Sequence, residues 1–139
     1  PPRSTLSSSS AASDVYKRQG VAGVQTMLPL LINQYLQGRL SLDRLVEVTS
    51  TKPAELMGLD STKGKLEPGY DADLTVIDLQ AKQTIADQQM HSKCGWTPFA
   101  GQQIKGEVTM TIQGGQIAYE HGRFDDDVRG ENIFQLSTP

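Results

Sequence analysis

With 139 residues and 15.2 kDa, the chain is the size of one domain, and an apolar content of 37% is enough for a modest core. A net charge of −3 and a pI near 5.3 argue against a phosphate-tracking nucleic-acid binder, which carries a basic stripe. One cysteine excludes an internal disulfide and fits a reducing, cytoplasmic setting, and no apolar run approaches the roughly 20 residues of a membrane span.

Residues 1–19, "PPRSTLSSSSAASDVYKRQ", hold six serines and two prolines and show neither helical nor strand periodicity. Such a segment buries too little surface to offset its ordering entropy and is expected to be disordered. It has no apolar core of a signal peptide, and it resembles translated adaptor sequence at the broken end of a reading frame. The expectation is a C-terminal fragment whose own sequence starts near Gly20.

From Gly20 the pattern is regular. In "GVAGVQTMLPLLINQYLQGRLS", Val24, Met27, Leu28, Leu31, Tyr35 and Leu36 follow an i, i+3, i+4, i+7 stripe, which predicts an amphipathic helix. Pro29 is expected in its first turn, where a missing N–H costs nothing, and Gly38 at its left-handed end. Ser41 is expected to cap a second helix, "LDRLVEVTS", with Leu42, Leu45 and Val46 inward. Pro53 opens a short third helix with Leu56 and Met57 facing in, stopped by Gly58.

After Asp60 the character changes. A Pro68–Gly69 turn precedes "DLTVIDL", where Leu74, Val76 and Asp78 alternate with Thr75, Ile77 and Leu79 as in a strand. In "GEVTMTIQGGQIAYEHGRF", Val108, Met110 and Ile112 share one face. Gly114–Gly115 forms a two-residue turn of the primed type, and Ile117 and Tyr119 return. Helices followed by strands without alternation suggest the last helices of an α/β barrel and a small separate sheet. The boundaries are residues 20–60 for the helices, 61–130 for the sheet with its connecting loop, and 131–139 for a tail.

Local chemistry is thin. His91 and Cys94 have a two-residue spacing found in metal sites, but zinc wants three or four ligands. The other histidine, His121, lies at the far end of the hairpin. A partly buried Cys and an ordinary loop His are the preferred reading, and Cys94 lacks a well-placed base. Asp71 and Asp73 beside a turn are expected to cap it, rather than to act as an acid–base pair. Asp125, Asp126 and Asp127 lack the glycine and distal Glu of a calcium loop and read as a solvated acidic turn. Gly20 and Gly23 are too short a pattern for a phosphate loop.

"GKLEPGYDADLTVIDL", preceded at the right distance by "LVEVTSTKPAELMGL", resembles the run with which amidohydrolase-superfamily enzymes leave their barrel and enter a flanking β-sandwich. Asp73 can hold that bend by hydrogen-bonding backbone. In the loop "HSKCGWTPFAG", Ser92, Lys93, Thr97, Pro98, Phe99 and Gly101 are similar to the "SK-x-x-x-TPF-x-G" of longer-chain dihydroorotases rather than to the corresponding hydantoinase run. Allantoinases share a "K-x-TP-Y-x-G" version and are the nearest competitor. "GVAGVQTMLPLL" also looks like a dihydroorotase stretch, with Gln25 where that family often has Glu.

The resemblance implies an α/β fold: C-terminal helices of a metal-dependent (β/α)8 barrel followed by strands of a small flanking β-sandwich. It implies hydrolysis of the cyclic amide of dihydroorotate, with one or two zinc ions activating water and an aspartate moving the proton. The metal and catalytic residues of that family all precede "GVAGVQT", so neither role is assigned to a residue of this chain. Gly20 alone matches a glycine whose backbone touches substrate, although Gln19 does not match its neighbour. A homo-oligomer of the full-length enzyme is expected, as is poor folding of this piece alone. The alternative is a non-catalytic paralogue acting as a binding module.

Overall fold

A computed structural model describes residues 21–130. Gly20, residues 1–19 and the tail 131–139 lie outside the described residues. The helices come first and the strands second, the α/β order expected from the sequence.

Helix α1 spans Val24–Leu36. Gly23 caps it, its carbonyl accepting from the Thr26 and Met27 N–H groups at 3.1 and 2.8 Å. Gly38, at φ 72°, ends it with the paired bonds Gly38 N–H to Tyr35 O and Arg39 N–H to Gln34 O. Pro29 is not in the first turn: the helix begins at Val24, so the proline lies inside it, one turn beyond Gln25, whose carbonyl it cannot satisfy. The buried face also differs from the apolar stripe. Thr26, Ile32 and Asn33 are buried, whereas Val24 and Met27 are exposed, because the sheet meets the helix along the Ile32–Asn33 side.

Ser41 caps the next helix as expected, its hydroxyl accepting from the Arg44 N–H at 3.2 Å. Helix α2, Leu42–Val46, does not stop before Pro53: it passes through a π-helical turn, Glu47–Thr51, into α3, Lys52–Leu56. The Lys52 N–H reaches Glu47 O, one residue further back than in an α-helix. That widening lies just before a proline with no N–H to donate, so the helix continues where a break was expected. Gly58 ends α3 with the same two-bond pattern as Gly38. Leu45 and Ala54 are the buried residues of this layer; Leu56 and Met57 are exposed, contrary to expectation, since no element among the described residues covers that side.

The strands form one antiparallel sheet in the order β1 Leu74–Thr84, β2 Gln103–Gln113, β3 Gln116–Glu120 and β4 Arg123–Phe124. Gly114 and Gly115, at φ 55° and 80°, make the expected primed two-residue turn. The simple alternation expected of β1 fails. A register shift between Val76 and Ile77 leaves Leu74 and Ile77 half-buried and Val76 exposed. A second shift sets Leu79–Ala81 opposite Gly106 alone.

Gly106 is where α1 meets the sheet. Its φ is 89°, and a Cβ there would lie 2.3 Å from Ile32 Cγ2. Beside it, Asn33 Oδ1 accepts from the Lys105 N–H at 3.1 Å. The helix is thus seated by one apolar and one polar contact on β2, at the glycine that faces the bulge in β1.

Candidate functional site

Between β1 and β2 the chain makes a loop whose neck is a pair of backbone bonds: Ile85 N–H to Gln102 O at 3.0 Å and Gly101 N–H to Ile85 O at 2.8 Å. The "TPFAG" run closes that neck. Thr97 is buried; its N–H donates to Asp87 Oδ1 at 2.9 Å and its hydroxyl accepts from the Phe99 N–H at 3.3 Å. Gly101 turns the chain at φ 83°. Thr97 and Gly101 therefore hold a loop in shape, and the bonds they make are to the loop itself.

The loop is tied to α1 by one side chain. Gln25 Nε2 donates to Gln89 O at 2.7 Å, and Gln25 Oε1 accepts from the His91 N–H at 2.9 Å. Between helix, loop and sheet lies a groove of about 1050 Å³, lined by Gln25, Met90, His91, Tyr119, His121 and Phe124 among others. His91 meets the Phe124 ring edge-on at 4.8 Å between centroids, and Phe124 leans on Tyr119 at 5.0 Å. Both histidines thus face one groove, although His121 is 30 residues further along the chain. His121 takes φ 44° in the two-residue turn before β4.

His91 and Cys94 part company. Cys94 is fully exposed, against the expectation of partial burial, because the loop turns outward after Ser92. Its Sγ lies 3.0 Å from Ser92 Oγ, and that hydrogen bond pulls the thiol below its ordinary range. Among the described residues no three His, Cys, Asp or Glu side chains converge on a point that could hold a metal.

The acidic pair does not cap the Pro68–Gly69 turn as expected; its carboxylates reach the hairpin tip and Lys63 instead. Asp73 Oδ1 accepts from the Gly114 N–H at 2.8 Å, Asp73 Oδ2 pairs with Lys63, and Asp71 pairs with the same ammonium at 2.9 Å. Asp73 therefore ties the start of β1 to the tip of the β2–β3 hairpin, and Lys63 links both to the end of the helical layer. The Lys63 ammonium holds the Asp73 carboxyl below the usual carboxylate range; partial burial opposes this and the Gly114 N–H adds to it. In the acidic run, Asp125 Oδ1 accepts from the Asp127 N–H at 3.0 Å and the three carboxylates are exposed, a turn as read. The substrate contact expected of Gly20 falls outside the described residues.

Gln25 drew notice in the sequence only as a departure from Glu; its two bonds to residues more than 60 positions away leave no local signal. The grouping of His91 with Tyr119, His121 and Phe124 depends in the same way on how the loop folds over the sheet.

Residues 8–118 match the amidohydrolase family, a span that begins within the segment 1–19. The chain is 36% identical over 114 residues to a dihydroorotase of Pyrococcus furiosus, covering 82% of this chain and 27% of that protein. It is 40% identical over 111 residues to an L-hydantoinase of Paenarthrobacter aurescens, covering 78% and 24%. The solved L-hydantoinase (dihydropyrimidinase) of Arthrobacter aurescens superposes with a TM-score of 0.74 at 36% identity, over 84% of this chain and 26% of that one. The chain spans about a quarter of the length of these relatives.

Proposed function

The chain belongs to the amidohydrolase family, and from that footing we propose that it is the C-terminal part of a dihydroorotase, which opens the cyclic amide of dihydroorotate by hydrolysis in pyrimidine synthesis. The observation that carries the reading is the 36% identity over 114 residues to a dihydroorotase, with the "SK-x-x-x-TPF-x-G" loop intact. Further dihydroorotases, from Methanosarcina acetivorans among others, support it at up to 46% identity. In this reading residues 20–60 are the last helices of the barrel and residues 61–130 its flanking sheet region. The protein acts in the cytoplasm as a homo-oligomer, and Gly20 contributes backbone to the substrate pocket.

Zinc in such an enzyme supplies an activated water and polarises the ring carbonyl. The donors described here do not fit that ion: among the described residues no three His, Cys, Asp or Glu side chains converge, His91 is turned to Phe124, Cys94 to Ser92, and Asp71 and Asp73 to Lys63. In this reading the metal centre lies outside the described residues, which act as scaffold. Asp73 and Lys63 fasten the sheet to the helical layer, and Thr97 and Gly101 fix the loop between them.

A second reading, an L-hydantoinase, is favoured by the 40% identity and the TM-score of 0.74. Expression of the whole reading frame that contains this chain decides between them, with turnover of dihydroorotate and hydantoin compared. Dihydroorotate hydrolysis is expected; hydantoin hydrolysis without it would favour the second reading. The chain alone is expected to bind no stoichiometric zinc and to turn over neither substrate. Metal at one equivalent by elemental analysis, with turnover, would overturn the assignment of the metal centre.

A further inference from the structure

The Gln25 side chain makes a contact that its chemical type alone permits. Met90 is extended, at φ −81° and ψ 121°, so the Gln89 carbonyl and the His91 N–H flanking it point the same way. A primary amide offers one donor and one acceptor side by side, as the N–H and C=O of one residue in a neighbouring strand would. The Gln25 amide fills that place, donating at 2.7 Å and accepting at 2.9 Å. Its orientation is fixed by the partners: flipped, NH2 would face N–H and oxygen would face carbonyl.

We propose that Gln25 is a positioning residue whose amide, by pairing with both groups, holds the 86–100 loop against α1 and so sets the wall of the groove at Met90 and His91. A carboxylate at this place keeps one bond and loses the other. Ionised Glu accepts from the His91 N–H but sets a negative oxygen against the Gln89 carbonyl, and only protonated Glu regains a donor. Among the described residues no other titratable side chain is bonded to Gln25 or to either backbone group; the nearby His91 ring is engaged with Phe124. Nothing in this depends on which cyclic amide the parent enzyme takes.

Amide hydrogen exchange on the 139-residue chain tests it, read as protection relative to the unstructured peptide at each pH. His91 is exposed, and among the described residues the Gln25 side chain is the hydrogen-bond acceptor of its N–H. In the unaltered chain the His91 N–H is expected to be protected at least tenfold, equally at pH 4 and pH 7. In Gln25→Glu the His91 N–H keeps its acceptor and should stay protected, while proteolysis within residues 86–100 should be several-fold faster than in the unaltered chain at pH 7 and equal to it at pH 4; in Gln25→Met the protection should be lost at both. The Lys105 N–H, bonded to Asn33, reports whether each variant is folded. An unprotected His91 amide in the unaltered chain overturns the proposal, as does Gln25→Met behaving like the unaltered chain. A folded Gln25→Glu cut within residues 86–100 no faster than the unaltered chain at pH 7 also overturns it.

Discussion

Gly106 is the residue on which the seating of α1 turns. A methyl group there meets Ile32 Cγ2 at 2.3 Å with the backbone already at φ 89°. Gly106→Ala is expected to cost about 2 to 4 kcal/mol in urea unfolding, from overpacking and left-handed strain together. Ile32→Ala removes the colliding carbon, so the double variant should be more stable than the sum of the single losses predicts, by about 1 kcal/mol. Asp73 carries a pH dependence. Its lowered carboxyl means that the latch to Lys63 and Gly114 stabilises fully above the unfolded value of about 4 and fades as pH falls through the folded value. Lys63 is raised by its bonds to Asp73 and then Asp71, so its share is present below about pH 10.4 and fades above the folded value. Asp73→Asn is expected to flatten the acid limb of stability measured between pH 5 and pH 2, while leaving the chain folded at pH 7. That Asp73 bonds backbone was legible in the sequence, but not its partner: Gly114 is 41 positions away, beyond any local turn. The role of Gly106 was not legible either, since a glycine in a strand does not say what approaches it.

At the scale of elements, caps and turns followed the sequence closely. Ser41, Gly38, Gly58 and Gly114–Gly115 act through residues within about one turn of themselves, so their local sequence suffices. Prolines were read unevenly. Pro53 lies in the first turn of α3 as expected, although a π-helical turn joins that helix to α2 without a break, whereas Pro29 sits inside α1. Packing of Thr26, Ile32 and Leu45 holds helix on both sides of each proline, outweighing the lost bond. The loop is an element in its own right, with Gly101 at its neck. Gly101→Ala forces a side chain to φ 83° and is expected to cost about 1 to 2 kcal/mol. That loss should appear as faster proteolysis within residues 86–100, with cutting at the Gly114–Gly115 turn unchanged.

For the whole molecule, the described residues leave much apolar surface uncovered. Val24, Leu56 and Leu66 are 94%, 85% and 84% exposed, on three separate segments. Such surface belongs against other protein, and dye binding and concentration-dependent association are the expected result. Leu56→Lys and Leu66→Lys should reduce binding of a hydrophobic dye while changing unfolding free energy by no more than about 0.5 kcal/mol, as neither side chain is packed. A fall of several kcal/mol would show that they have a core role. By itself the sequence determined the order of helices and strands, the helix caps, the hairpin turn and membership of a family, because these depend on short-range geometry and on runs of residues in fixed order. Only the tertiary structure decided which face of α1 is buried, that the loop closes on itself through Thr97 and Gly101, and that Gln25 reaches Gln89 and His91. Each of these joins residues distant in the chain, where complementary shape and hydrogen bonding act across space and leave no periodic trace in the sequence.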